Sequence, residues 1–293
     1  MKTIASHVKN LAGQHRVYDS RLRSIVSSTS FFMENMSEDR FNFEAIANHE
    51  LDAFCLGVYL DDIPRETVIE HLNNAQYFTT MMHRQNMVSK DATLPFTYKG
   101  RDFNLAGNGK KGVPINESAN WLNHVELCII SGCYDDLNEI MEVLESGQVL
   151  FRSKQTELGT YLRLHCLGLK VAQDPTALLD AFMAEVDANA ESPKMKELAL
   201  GGITLTLGFY DVMRAIREQD EAKYRETMFK AVEMHKEWFT HDEDFISRMI
   251  GYVSLPLLTA AKFAYAKYGF TLDFETPYLP TYVFTEQPEG AQV

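Results

Sequence analysis

Several short stretches of this 293-residue chain hold residue types that could do chemistry. One is Asn104 to Pro114, "NLAGNGKKGVP", where Gly107, Gly109 and Gly112 spell G-x-G-x-x-G around Lys110 and Lys111. Such glycines bind a dinucleotide when they leave a strand and open a helix at once, so that the first helical N–H groups face the pyrophosphate. Here Val113-Pro114-Ile115 follows Gly112, and the next helical pattern starts only near Asn116 or Glu117, with no βαβ unit around it. A P-loop fails on spacing as well. The position five before Gly109 is Asn104, and Lys111 stands where Ser or Thr must hold magnesium. The stretch reads as a flexible, exposed loop rather than a nucleotide site. Within 90–112, Lys90, Lys99, Arg101, Lys110 and Lys111 outnumber Asp91 and Asp102, which makes it a positive patch.

Metal and nucleophile patterns fail in their turn. His49-Glu50 begins like the zinc motif H-E-x-x-H, but Ala53 occupies the place of the second histidine. None of the 9 histidines has a Glu three residues before it, so the E-x-x-H of di-iron bundles is absent. His235 and His241, with Asp242, Glu243 and Asp244, form the richest ligand cluster, yet their spacing suits no standard site. Solvated charges at a helix end are the favoured reading. His165 and Cys166 are sequence neighbours, so on a helix their side chains diverge by about 100°. They sit in an apolar stripe with Thr160, Leu164, Leu167 and Val171, as core residues do. There is no G-x-S-x-G nucleophile elbow. The expectation is no catalytic residue, no cofactor and no metal.

The elements that would position these residues are helices. In 64–87 Val68, Ile69, Leu72, Ala75, Phe78, Met81 and Met82 recur every three or four residues behind Pro64 and Glu66. Asn116-Glu117-Ser118 opens a helix carrying Trp121, Leu122, Val125, Leu127, Cys128 and Ile129, and Asp135 precedes a short one with Leu137, Ile140, Met141 and Leu144. Further helical runs lie near 16–35, 40–60, 155–172, 175–189, 194–217, 220–239 and 254–268, with Pro175 and Pro193 as starts and Gly147 and Gly269 as stops. The strand signal is 95–105, "PFTYKGRDFNL", whose aromatics alternate about Lys99-Gly100. The fold class expected is all-α, one domain over 1–293, with a β-hairpin and loop excursion near 95–112 inside a long inserted loop, 90–115. No Pro/Gly/Ser-rich linker divides the chain.

Charge bounds the partner. With 28 basic against 41 acidic residues the net charge is −13, the wrong sign for a bare nucleic-acid binder and the right one for meeting a basic protein. Residues 174–244 concentrate it, with 16 Asp/Glu against 8 Lys/Arg. No pair among Cys55, Cys128, Cys133 and Cys166 has C-x-x-C spacing, and buried free thiols suit a reducing compartment. The N-terminal "MKTIASHVKNLAGQH" lacks an apolar signal-peptide core, and no apolar run reads as transmembrane, so a cytoplasmic protein is expected.

The C-terminal part adds a clasp. An Ala-rich helix with Leu255, Leu258, Ala261, Phe263 and Ala264 stops at Gly269, and Thr276-Pro277-Tyr278-Leu279-Pro280 then fixes an extended end. The clasp over 270–284 is expected to bury Tyr278 and Leu279. Two stretches, "NWLNHVELCIISG" (Asn120 to Gly132) and "SLPLLTAAKFAYAKYGFTLDFETPYLP" (Ser254 to Pro280), together resemble immunity protein family 49 of bacterial polymorphic toxin systems. The resemblance implies an all-α, non-enzymatic protein that binds and neutralises a cognate toxin. Its motifs are packing motifs and carry over no contact residue. An acidic inhibitor suits a toxin that attacks nucleic acid, because such a toxin needs a basic cleft to hold phosphates. The partner-contact candidates are Asp242, Glu243 and Asp244 on the acidic side and Lys99, Arg101, Lys110 and Lys111 on the basic side. No contact with nucleic acid or membrane is expected. The competing readings are a helical scaffold or regulatory interaction protein, and an all-α enzyme using His241-Asp242-Glu243-Asp244.

Overall fold

The computed structural model of the chain describes residues 2–8, 11–34, 43–98, 100–109, 117–169 and 174–285. It is predominantly helical, with a few short strands. Its contacts divide the chain into two compact units, residues 10–150 and residues 151–293 joined by 1–9.

The chain opens with β1 (Lys2–Thr3), which belongs to the second unit. The first unit follows: α1 (Leu11–Glu34), α2 (Phe43–Gly57), α3 (Arg65–Met87), β2 (Thr93–Tyr98), β3 (Arg101–Ala106), α4 (Ser118–Ser131) and α5 (Tyr134–Glu145). Of the apolar positions that define the period of α3, Val68, Leu72, Ala75, Phe78, Met81 and Met82 are in the core and Ile69 is half-buried, and the helix buries polar residues such as His71, Gln76 and Thr80 as well. Trp121 of α4 is fully buried and its indole N–H donates to the Ile140 carbonyl of α5 at 3.1 Å. That bond lets a large aromatic be buried without an orphaned donor.

The hairpin forms where the alternation places it, with Tyr98 opposite Arg101 and Gly100 at φ +73° in the turn. It is not the exposed excursion that its loop-rich surroundings suggest. Leu94 and Phe96 of β2 and Phe103 and Leu105 of β3 are buried, packed with Phe43 and Ile46 of α2 and with Phe78, Met81 and Met82 of α3. The Phe43 and Phe96 rings meet nearly at right angles, 5.2 Å apart. Each such aromatic stabilises the fold by roughly 1.5–3 kcal/mol through burial.

The glycine stretch is held just as firmly up to Gly109. Gly107, Asn108 and Gly109 donate their N–H groups to the carbonyls of Ala92, Gln85 and Val88, each at 2.9 Å. A Cβ on Gly107 would lie 2.2 Å from the Ser89 carbonyl oxygen, so glycine is required here by close backbone approach. The reading of these glycines as a source of conformational freedom is corrected accordingly. Three N–H groups that a phosphate would need are already satisfied by the protein.

The second unit holds α6 (Lys154–Cys166), α7 (Pro175–Ala190), α8 (Lys196–Gly201), a π-helical turn (Gly202–Leu207), α9 (Gly208–Arg217), α10 (Glu221–Thr240), α11 (Glu243–Ile246), α12 (Leu255–Tyr268), β4 (Phe274–Glu275) and α13 (Thr281–Thr285). The helical run expected over 194–217 is thus broken by the π turn, and side-chain insertion explains it. The Gln155 amide donates to the Leu198 carbonyl at 2.7 Å and is itself held by Asn189 at 2.6 Å. It fills the place of a side chain at Gly202, where a Cβ would lie 2.2 Å from Gln155 Nε2. A side chain inserted beside the helical ladder distorts it locally.

The clasp is a three-way junction. β1 pairs in parallel with β4, Lys2 opposite Phe274 and Thr3 opposite Glu275, and the Ile4 N–H donates to the Glu275 carbonyl at 3.0 Å. Tyr278 is 0% exposed and Leu279 1%. The Tyr278 hydroxyl accepts from the His7 N–H at 3.1 Å and meets His7 Nδ1 at 2.7 Å, while the Tyr278 carbonyl accepts from the Ser254 N–H. The 20-residue stretch Met249–Tyr268 has the length and composition of a membrane span, against the expectation that none does, but 67% of its apolar window is buried inside the protein. Only its last 14 residues form α12, about 21 Å of helix by the rise per residue, short of a bilayer core. It is a core helix.

Candidate partner-binding surface

The groups with chemical potential fall into two kinds, those buried and committed to the fold and those exposed and uncommitted. His49-Glu50 belongs to the first. Glu50 turns inward, its carboxylate 2.6 Å from His71 Nδ1, and His71 Nε2 lies 2.9 Å from the Tyr18 hydroxyl. This Tyr–His–carboxylate chain has the order of a catalytic relay, but Tyr18 is 3% exposed and Glu50 4%. No substrate reaches it, and it ties α1, α2 and α3 together.

The buried His83 pairs with the partly buried His124, Nε2 to Nδ1 at 2.7 Å. Burial pushes His83 down to about 4 and His124 well below its usual value, so both rings are neutral. Cys128 and Cys166 are equally inert, since burial raises their thiols to about 12 and about 11. Cys166 is buried in α6 as expected, whereas its neighbour His165 is only partly buried and not a core residue. All four cysteines are free thiols.

The His235 to Asp244 cluster separates in the fold. His235 is buried, and its Nε2–H donates to the Gly251 carbonyl at 3.0 Å. Burial holds its pKa near 4. His241 directs Nδ1 at the Trp238 carbonyl, and its ring stacks on Trp238 with centroids 4.8 Å apart. Each histidine therefore spends a ring nitrogen on a backbone carbonyl. Among the described residues no group of three His, Cys, Asp or Glu side chains stands where it could share a metal ion.

What remains of the cluster is an acidic lip. Asp242 caps α11, accepting from the Asp244 N–H at 2.8 Å, and Glu243 and Asp244 occupy its first turn. Negative charge there is favoured by the helix N-terminus. All three are exposed, and so is Glu237 on α10. None of the four has an ion-pair partner among the described residues. Some other acids of the second unit are neutralised, as in Arg225–Glu221, Lys230–Glu226 and Lys223–Glu218, each at 2.6 Å, while Asp180, Asp187, Glu191 and Glu233 are exposed like the lip.

Beside the lip lies an apolar feature that sequence reasoning missed. Trp238, Phe239 and Phe245 form one aromatic cluster, with Leu205 and Ile250 packed against it. Among the described residues of this unit, the exposed large hydrophobics are close chain neighbours of residues in or against that cluster. Leu200 and Ile203 (42% and 38% exposed) bracket Gly201 and Gly202, and a Cβ on Gly201 would lie 3.1 Å from the Trp238 ring. Ile246 (40%) follows Phe245, whose ring meets Trp238 at 5.2 Å. The only signal in the sequence was Gly201-Gly202 inside a helical run.

On the basic side, Arg101 is exposed on β3, its guanidinium 5.7 Å from the Phe103 ring centre. Lys99, Lys110 and Lys111 lie outside the described residues.

Compared with known families, residues 34–283 match the model described as immunity protein 49. No curated protein and no solved structure matches the chain.

Proposed function

We propose that this chain, which belongs to the immunity protein 49 family, binds a cognate antibacterial toxin domain directly and neutralises it by covering its working surface. It does so in the cytoplasm, without catalysis, cofactor or metal. The observation that carries this reading is the family match over most of the chain. The unpaired acidic lip of Asp242, Glu243 and Asp244 supports a basic partner, of which a nuclease domain is the leading class. Exposed acids of this kind speed encounter with a basic surface. Arg101, with Lys99, Lys110 and Lys111, is a second candidate contact, suited to an acidic patch on the toxin. Free thiols, three of them buried, suit a reducing compartment.

The test is co-expression. A candidate toxin domain, sought in the genes beside this one, is induced in cells with and without the chain. Growth restored by the chain supports neutralisation. Equal killing in both, with the chain soluble and folded, removes it.

A further inference from the structure

From the second unit alone, we infer that the energetic centre of toxin contact is the apolar patch of Leu200, Ile203 and Ile246, with the acidic lip as its steering rim. This rests on the reading that the partner is a toxin, and it says where and by what chemistry that partner is held. Binding energy at protein interfaces concentrates in a few apolar anchors that exclude water, whereas rim charges act mainly on association rate. The patch has both parts. Three aliphatic side chains stand 38–42% exposed around one aromatic cluster, and a soluble surface gains nothing from that arrangement unless it is covered.

The backbone is built to present them. The π turn Gly202–Leu207 re-aims the helix between Leu200 and Ile203, and π turns recur at functional positions. Gly201 lets that helix lie directly on Trp238, so the patch rests on a rigid base.

Charge identifies the occupant. Glu237, Asp242, Glu243 and Asp244 are exposed without a cation among the described residues. The start of α8 carries one charge of each sign, Lys196 and Glu197. The nearby cation Arg248 lies flat over Phe245, its guanidinium carbon 3.6 Å from the ring centre. The fitting partner is a basic protein face that carries an aliphatic or aromatic anchor. A nucleic acid or an acidic peptide would meet repulsion.

The experiment uses the full chain, wild type and three variants. Ile203→Arg places a like charge against the basic partner. The second variant carries Asp242→Asn, Glu243→Gln and Asp244→Asn. Val26→Arg alters a 61% exposed hydrophobic of the other unit and serves as control. Thermal melting confirms folding of each, and Leu200→Ser replaces Ile203→Arg if that variant does not fold. Two probes are titrated: the toxin domain, and a synthetic amphipathic helical peptide of leucine and lysine. With the toxin, Ile203→Arg is expected to weaken binding by about 100-fold or more, chiefly through faster dissociation. The acid-neutral variant slows association by about tenfold at low salt, a difference that shrinks as salt rises. Val26→Arg binds as wild type. The peptide binds wild type saturably and loses binding in both patch variants.

Tight toxin binding that Ile203→Arg leaves unchanged overturns the patch while the immunity reading stands. Peptide binding at the patch without any toxin binding overturns the immunity reading and leaves the patch as a site for another basic partner. Failure of both probes at the patch overturns the inference outright.

Discussion

Removing one oxygen atom tests the clasp. The Tyr278 hydroxyl accepts from the His7 backbone N–H at 3.1 Å and lies 2.7 Å from His7 Nδ1, in a site where Tyr278 is fully buried and His7 8% exposed. Burial lowers the His7 pKa, so its ring is neutral and Nδ1 is free to accept the hydroxyl proton. Tyr278→Phe keeps the ring but strips both partners at once. A buried polar group left unpaired costs about 1–3 kcal/mol, so a loss of roughly 2–4 kcal/mol is expected after partial relaxation. Tyr278→Ala removes the ring as well and costs about 3–5 kcal/mol from the cavity. Deleting 276–293 takes away Tyr278, Leu279, Val283 and Phe284, all buried. At about 2–5 kcal/mol for each large side chain the loss reaches the 5–15 kcal/mol stability of a whole domain, so the truncated chain should lose cooperative unfolding. The assay is urea unfolding, with hydrogen exchange read at the Ile4, His7 and Ser254 amides. The Phe variant should exchange faster at His7 first. A Phe variant within about 0.5 kcal/mol of wild type, the scale of an ordinary surface substitution, with unchanged exchange, would refute the junction. So would a truncated chain that still unfolds cooperatively at the wild-type midpoint.

Other expectations follow from single sites. Burial holds His83 and His235 near 4 in the fold, against an ordinary value of 6.5. Between those values the unfolded chain binds protons that the folded chain refuses. Stability is therefore full above about pH 6.5 and falls as pH drops toward 4, by roughly 1.4 kcal/mol per pH unit for each histidine. His235→Gln should flatten part of that slope in denaturant titrations run from pH 7 to 4; an unchanged slope would contradict the assignment. Gly202→Ala should destabilise by about 1–3 kcal/mol although alanine favours helix, because its Cβ displaces the Gln155 amide. Adding Gln155→Ala should bring a second loss much smaller than Gln155→Ala causes alone, and strict additivity in that double-mutant cycle would disprove the coupling. Elemental analysis should find metal well below one atom per chain; about one per chain, lost on changing His235 or His241, would count against the carbonyl-bound roles given to these histidines.

Much of the fold was legible because helices write their period into the sequence. Most of the apolar positions from Val68 to Met82 of α3 and from Leu255 to Ala264 of α12 are buried, with Ile69 and Phe263 half-buried, and Gly269 ends α12 at φ +69° as a left-handed cap. The clasp was legible in Pro277 and Pro280, and Tyr278 and Leu279 are buried as expected, but Pro277 and Tyr278 form a turn that leads into α13 and not the extended end that the prolines suggest. Its N-terminal half was not, because two paired residues of β1 give no period and their partner lies more than 270 positions away. The π turn was hidden for a related reason: it depends on Gln155, which is remote in sequence from Gly202. The hairpin was placed correctly, but its buried inner face depends on Phe43 and Phe78, and no local pattern reports that contact. At the candidate surface the acids could be read as a charge run. The exposed aliphatics Leu200 and Ile203 could not, since their periodicity is that of core residues beside the distorted turn, and neither could Ile246, which ends the short α11 next to the buried Phe245.

Direct occlusion is tested most sharply by titrating the activity of the purified toxin domain with the purified chain, at toxin concentrations far above the dissociation constant. A non-enzymatic inhibitor that covers the toxin lowers activity in a straight line to zero at a fixed molar ratio of the two chains, with the toxin recovered intact on separation. Complete inhibition at a small fraction of that ratio, growing with time and leaving a modified toxin, would show catalysis and contradict the account. A flat line with no complex formed would remove the toxin as the partner.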